Sequence, residues 1–365
     1  MVVGSTSQLG TTLRSKKRWH GELPRPVSVL RKDLRPLEEG QQFAAVPILS
    51  TGADSKYRRR IATVAATALA ENFEAHRGHL LAVGYRLTGS VSDAEDAVQE
   101  SWLRLAATEA EAIRDLRGWL TTVVGRICLD RLRSATARRE RYVGQWLPEP
   151  VVTPLGASAH PDPLESVVRE EDNRLAALIV LDTLSPPHRV AFVLHDGFGV
   201  PFDEIATMLD TTVESARKLA SRARKAVSSA PAPVSLDEHA EAVGRFLAAM
   251  ATGDLHAVVA ALHPDAVMMG DAGGTTGTAI NVITGPDKVA RFFLGLVRKY
   301  GEERLANYVP AVVNGQLGMF SPEFESDGLH PGSPTRVLAF TVRDGRVAAA
   351  YDIANPAKLT GIRLG

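Results

Sequence analysis

Cys128 is the only cysteine in the 365 residues. No intrachain disulfide or cysteine zinc cluster can therefore form, which fits a reducing cytoplasm. No apolar run approaches the roughly 20 residues needed to span a bilayer, and the N-terminus lacks the apolar core of a signal peptide. The expected location is cytoplasmic, with no membrane partner. Net charge is also absent: 42 Lys and Arg balance 42 Asp and Glu, so any affinity for nucleic acid must come from local patches. No internal repeat is visible. Ser, His and Asp occur without nucleophile-elbow spacing, which leaves hydrolase chemistry unsupported. His256 and His263 have no third ligand at a recognisable spacing and read as helix-end polar residues. No metal and no cofactor is expected.

What is present is most specific over residues 201–227, PFDEIATMLDTTVESARKLASRARKAV. Asp203–Leu209 reads as a short amphipathic helix, and Asp210 and Thr211 as a turn. Thr211 and Glu214 have capping-box spacing. A second helix then places Ala216, Leu219, Ala220, Ala223 and Val227 on one face. Glu214, Arg217, Lys218, Ser221, Arg222 and Lys225 point the other way. An apolar back and a front of Arg, Lys and Ser suit a DNA major groove, so the pattern predicts a helix-turn-helix.

Residues 1–67 carry basic charge with little apolar periodicity and are expected to be a disordered basic tail. A DNA-contacting arm is the alternative. Residues 68–142 are helical in pattern. Phe73, Leu80, Leu81, Gly84 and Leu87 share a face, and Thr88-Gly89 stop the helix. Ser92 and Glu95 have capping-box spacing before a helix that buries Ala94, Val98, Trp102 and Leu105. Residues 114–141 form a long helix with eight Arg. Residues 143–163 are rich in Pro and small residues and read as a flexible linker. Residues 164–228 are helical again, with Ser185-Pro186 as a helix start. A short linker spans 229–235. Residues 236–353 pair two or three helices with strand-like runs at 308–313, 316–320, 336–342 and 346–352, plus a short strand at 266–269. Leu236, Ala240, Val243, Leu247 and Met250 mark the first helix's apolar face. Asp344-Gly345 is a hairpin turn. The pattern predicts an α+β cone followed by a tail, 354–365. The fold class is multidomain: two all-α modules and one α+β domain.

These motifs resemble the extracytoplasmic-function (ECF) sigma factors of the sigma-70 family. YRLTGSVSDAEDAVQESWLRL (85–105) and LRGWLTTVVGRICLDRLRS (116–134) resemble region 2, and residues 181–227 resemble region 4. Residues 236–353 resemble SnoaL-like domains of the NTF2 superfamily. One subgroup joins all three and carries motifs of the form YVGPWLPEP, DGGGK and NPDKL. Here they stand as Tyr142–Pro150 with Gln145 for Pro, Asp271–Thr275 with Thr275 for Lys, and Asn355–Leu359 with Ala357 for Asp.

The resemblance implies a promoter-specificity subunit of bacterial RNA polymerase that is not an enzyme. Asp96, Gln99 and Glu100 would meet the polymerase β′ clamp. Arg126 and Arg133 would contact −10 promoter DNA, with a base captured near residues 108–115. Trp119 either stacks on a base or, by its place in an apolar stripe, belongs to the core. Glu214, Ser215, Arg217, Lys218 and Arg222 would read the −35 element. Two small modules on a flexible linker would gain affinity jointly. Trp146 is expected to pin region 2 against the C-terminal domain. Asp271, Gly273, Gly274, Asn355, Pro356, Lys358 and Leu359 form the expected regulatory contacts, and a small ligand in the cone is one way to shift them. The alternative is a SnoaL-like isomerase, cyclase or ligand sensor with accessory DNA-binding modules and Asp271 as its acid.

Overall fold

The computed structural model describes residues 55–365 except 109–112, 140–141, 143, 157–173, 229–231, 233, 302–306, 361 and 363–365. The tail expected over 1–67 lies outside them as far as residue 54. From Ser55 the chain is helical. Residues 109–112 of the expected base-capture loop and the start of the helical stretch at 164 also lie outside.

The first helical module comprises α1 (Ser55–Thr88), α2 (Val91–Ala106) and α3 (Leu116–Arg139). Phe73, Leu80, Leu81 and Leu87 are buried on one face of α1, as their spacing requires. Gly89, at φ +67°, ends that helix. Ser90, not Ser92, caps α2: its backbone is extended, and its Oγ accepts from the Asp93 amide at 3.2 Å. Ser92 is already inside the first turn.

The second module comprises α4 (Leu175–Asp182), α5 (Pro186–Phe192, continued by a π-turn at Val193–Gly197), α6 (Phe202–Leu209) and α7 (Val213–Val227). Ser185 precedes α5 as expected, but its hydroxyl meets His188 Nδ1 at 2.7 Å instead of capping. Asp210 takes the left-handed conformation, φ 52°. Thr211 completes the turn by donating its amide to Ala206 O, so the cap falls on Thr212, which accepts from the Ser215 amide at 3.1 Å. The N-cap expected at Thr211 is therefore displaced by one residue, and Ser215 takes the third helical position expected for Glu214.

The C-terminal unit has α8 (Leu236–Thr252), α9 (Leu255–Ala261), α10 (Pro286–Tyr300) and a sheet. Its strands are β1 (Val152–Pro154), β2 (Leu262–Asp271), β3 (Ile283–Thr284), β4 (Val309–Val313), β5 (Gln316–Ser321), β6 (Arg336–Arg343) and β7 (Arg346–Ile353), in the order β1-β4-β5-β6-β7-β2-β3. Among the described strands only β2 and β7 run parallel. On α8 the buried residues are His239, Ala242, Val243 and Phe246, while Leu236 is 65% exposed, so the expected apolar face is rotated. His263 directly follows the Leu262 cap of α9 and, as the second residue of β2, stands beside Arg343.

Two features depart from a chain of loosely tethered modules. Buried residues of α1–α3 and of α4–α7 form one continuous apolar core. The linker, expected to be flexible, supplies β1, which pairs antiparallel with β4 through Val152–Val313, Thr153–Val312 and Pro154–Ala311. Strand alternation then buries the sheet on both faces. Phe340, Val342 and Ala350 pack with α8–α10. Val337, Ala339, Tyr351 and Ile353 pack with linker Leu147 and with Leu175 of α4.

Candidate nucleic-acid surfaces and the interdomain hub

Asp271 ends β2 with no solvent exposure. A buried carboxylate needs donors and a countercharge, and the neighbouring segments supply them. Oδ2 accepts from the Leu147 amide at 2.8 Å and from Lys358 Nζ at 2.6 Å. Oδ1 accepts from the Tyr142 hydroxyl and from the Gly273 amide at 3.2 Å. Asn355 Nδ2 donates to Tyr142 Oη at 2.7 Å, and Asn355 Oδ1 accepts from the Ala357 amide at 3.1 Å, opening the turn Pro356–Lys358. Lys358 also donates to Leu147 O and lies 4.0 Å from the Trp146 ring centroid. Burial, then the Asp271 bond, pushes the Tyr142 phenol up. Gly273 is at φ +60°, and a Cβ there would meet the Asn355 amide at 2.9 Å, so the Asp271 loop and the C-terminal turn fit only with glycine at this place.

The linker grips the first module as firmly. Glu149 Oε2 accepts from the Val91 amide at 2.9 Å and from Ser90 Oγ at 3.1 Å, placing a carboxylate on the N-terminus of α2, where the helix dipole favours it. Burial nonetheless pushes the Glu149 carboxyl up. Tyr85, fully buried, donates to Glu149 O at 2.7 Å and accepts from Asn314 Nδ2 at 2.8 Å. Asn314 Oδ1 in turn accepts from the Val151 amide at 3.1 Å. Trp146 Cη2 lies 3.1 Å from where a Gly89 Cβ would be. Trp146 thus sits between the first module and Lys358.

On α7, Ala216, Ala220 and Ala223 are buried, while Glu214, Arg217, Lys218, Ser221, Arg222 and Lys225 are exposed. Ser215 is half-buried and takes a hydrogen bond from Thr212 Oγ1 at 2.9 Å. Lys218 pairs with Glu214 at 2.7 Å, and Arg217 lies 5.7 Å from the Phe202 ring. Arg126 and Arg133 are exposed on α3, and Trp119 is half-buried against the core. On α2, Asp96 and Gln99 are exposed. Asp96 lies 3.3 Å from Arg131, and Glu100 pairs with Arg104.

α3 also carries the contact with the second module. A Cβ at Gly125 would stand 2.9 Å from Leu194 Cδ1 and 3.1 Å from Met208 Cε. Thr122 Oγ1 donates to Glu204 at 2.8 Å. Arg189, buried, reaches Leu87 O at 3.1 Å and Asp182 at 2.7 Å.

Comparisons with known proteins agree with this geometry. The family model described as Sigma-70 region 2 matches residues 73–138, Sigma-70 region 4 matches 175–227, and SnoaL-like domain matches 243–350. The chain is 55% identical over 293 residues to the ECF RNA polymerase sigma factor SigJ of Mycobacterium tuberculosis, covering 79% of this chain and 92% of that protein. The chain belongs to the ECF RNA polymerase sigma factors. The crystal structure of the same SigJ superposes with a TM-score of 0.70 at 51% identity, covering 81% of this chain and all of that one. A probable ECF sigma factor, SigI, from the same species is 31% identical, covering 80% of this chain and 94% of that protein.

In this sigma factor the region 2 match runs from Phe73 in α1 through α2 and most of α3, the region 4 match spans α4–α7, and the SnoaL-like match lies within the C-terminal unit. Sigma factors bind RNA polymerase core and promoter DNA. No described helix is long and apolar enough to cross a membrane. The structure brings Trp146, Asp271, Gly273, Asn355 and Lys358 into one hub. Leu359 is buried in the adjacent core, while Pro356 and Gly274 are exposed at its rim. Sequence reasoning missed Tyr85, Glu149 and Asn314. Asn314-Gly315 between two apolar runs is a hairpin signal, which would have located that turn. Nothing local marks Glu149 as the cap of a helix 58 residues away from it in sequence.

Proposed function

We propose that this arrangement is the closed, promoter-free form of the sigma factor, and that promoter engagement separates regions 2 and 4. The observation that carries the reading is their shared core, with Gly125 of α3 set against Leu194 and Met208. By their names, the −10 and −35 elements lie about 25 base pairs apart, which is roughly 85 Å of duplex at about 3.4 Å per pair. Packed helices lie only about 8–10 Å apart. α3 cannot occupy one element and α7 the other while the two modules touch.

In the open form, Arg126 and Arg133 contact −10 DNA, and Glu214, Ser215, Arg217, Lys218 and Arg222 lie at the −35 element. The Asp96, Gln99 and Glu100 face meets the β′ clamp of the core enzyme. The SnoaL-like domain modulates the change by holding the linker through Asp271, Asn355 and Lys358. Asp271 acts as a clasp and not as a catalytic acid: both of its oxygens already hold donors from the linker, the C-terminal turn or its own loop.

The test is transcription in vitro with core polymerase, using the full chain carrying Thr122→Cys and Glu204→Cys. Joining the two with a short bis-maleimide should abolish promoter-specific transcripts, and the unjoined variant should retain them. Undiminished transcription from the joined protein would refute the opening step.

A further inference from the structure

We propose that Phe202 and His195 are positioning residues for −35 readout: their stacked rings brace the Arg217 guanidinium, and so make Arg217 the side chain of α7 that sets base preference. The proposal rests on the reading that α7 lies at the −35 element, and not on the closed form. Phe202 is the first residue of α6 and packs, partly buried, against the helical core. Its ring stacks on the His195 imidazole, with centroids 3.7 Å apart and planes at 27°. His195 lies in the π-turn Val193–Gly197 and donates from Nδ1 to Val200 O at 3.0 Å, which ties the imidazole to backbone. Arg217 Cζ lies 5.7 Å from the Phe202 ring centroid, within reach of a cation–π contact.

Stacking uses the face of a guanidinium and leaves the N–H donors of its edge available. Among the described residues Arg217 has no hydrogen bond or ion pair that would occupy them. The other cations of α7 differ. Lys218 is paired with Glu214, and Arg224 with Asp196. Arg222 and Lys225 are exposed and, among the described residues, have no ring to rest on. A free long side chain gives up rotamer freedom when it is fixed in a complex. Arg217 has given up part of that freedom beforehand. A planar fork held in place suits bidentate pairing with guanine O6 and N7. An unbraced cation suits phosphate, which positions the protein without reading sequence.

The test is transcription in vitro with core polymerase and the full chain, from promoters randomised over the −35 element and identified by a barcode in each transcript. Arg217→Ala marks the position whose guanine preference depends on this residue. Phe202→Leu keeps an apolar side chain but removes the ring. It should reduce that preference about two- to fivefold, the worth of an exposed cation–π contact, and leave the other −35 positions unchanged. Phe202→Tyr should restore it. In the Arg217→Ala background, Phe202→Leu should have no further effect at that position. A loss spread evenly over the −35 positions, an equal loss with and without Arg217, or full preference in a folded Phe202→Leu protein would each overturn the proposal. If no position responds to Arg217→Ala, the −35 assignment of Arg217 falls, and the proposal falls with it. Should Phe202→Leu fail to fold, the unaltered protein decides by nuclear magnetic resonance. The Arg217 Nε–H proton, assigned by its absence from Arg217→Ala, should lie upfield of that of Arg222 through the ring current of Phe202. Coincident resonances would overturn the stack.

Discussion

Lys358 Nζ lies 2.6 Å from Asp271 Oδ2, in a pair whose side chains are 10% and 0% exposed. The two residues come from opposite sides of the hub, the C-terminal turn and the end of β2. The same ammonium rests 4.0 Å from the Trp146 ring centroid, a cation–π contact that strengthens as water is excluded. Removing one partner of a buried pair leaves the other charge uncompensated, at about 3–5 kcal/mol. Lys358→Met should therefore lower the melting temperature markedly and speed proteolysis within the linker. Adding Asp271→Asn should restore much of the loss, because the amide is neutral and its oxygen still accepts from Leu147. A double variant no more stable than Lys358→Met alone would count against the charge argument.

Arg217 and Lys218 are exposed on the front of α7, where the one packing contact recorded for either is that of Arg217 with the Phe202 ring at 5.7 Å. Lys218 engages only an exposed i,i+4 pair with Glu214, which is worth little. Replacing both by Ala should leave the melting temperature nearly unchanged. An Arg that pairs bidentately with guanine discriminates by about 1–3 kcal/mol, so −35-dependent transcription should fall by roughly ten- to a hundredfold. Binding to core polymerase should persist. Equal loss of core binding and promoter use would contradict this division of labour.

Local pattern carried most of the secondary structure. The helical face of α1, the basic front of α7 and the last four strands follow from period alone. Caps slipped by one or two residues because backbone, not residue type, selects the capping side chain: Ser90 over Ser92, and Thr212 over Thr211. Linker residues 152–154 were illegible as a strand, since a three-residue edge strand containing Pro is defined by its partner β4. The hub was legible by resemblance as a set of residues, but not as a geometry. Asp271 and Tyr142 lie 129 positions apart in sequence, and no periodicity reaches that far. The union of regions 2 and 4 was also hidden, because the same apolar faces would serve two separate cores equally well.

That union predicts the behaviour of Gly125. In the middle of a helix, glycine costs about 1 kcal/mol relative to Ala, so this one runs against propensity. It allows Leu194 and Met208 to approach α3. Gly125→Val should wedge the modules apart while leaving helix content intact. Small-angle scattering should show a larger radius of gyration, and a promoter fragment should bind more tightly as the closed population falls. An unchanged radius in a folded variant would mean that the interface absorbs the side chain.

The burial of His79 at the same interface predicts a sensitivity to acid. Its ring meets Phe198 of region 4 edge-on at 5.3 Å, Nδ1 faces Arg117 Nη2 at 3.0 Å, and Nε2 faces Thr121 Oγ1 at 2.9 Å. Thr121 already donates its hydroxyl proton to Arg117 O, so Nε2 must carry the imidazole proton and Nδ1 must accept from Arg117. Burial, then the Arg117 and His76 charges, push the imidazole down from its ordinary 6.5 to about 4. The unfolded chain therefore takes up this proton at higher pH than the folded one. Where the unfolded state binds more protons, stability rises with pH. The contribution of His79 is thus complete above about pH 6.5, and it declines as pH falls towards 4. His79→Gln retains a donor for Thr121 and an acceptor for Arg117 but cannot titrate. Between pH 6.5 and 4 the native protein should lose more of its melting temperature than the variant does, with the two curves running parallel above pH 7. Curves that stay parallel down to pH 4 would show that the imidazole does not couple to folding.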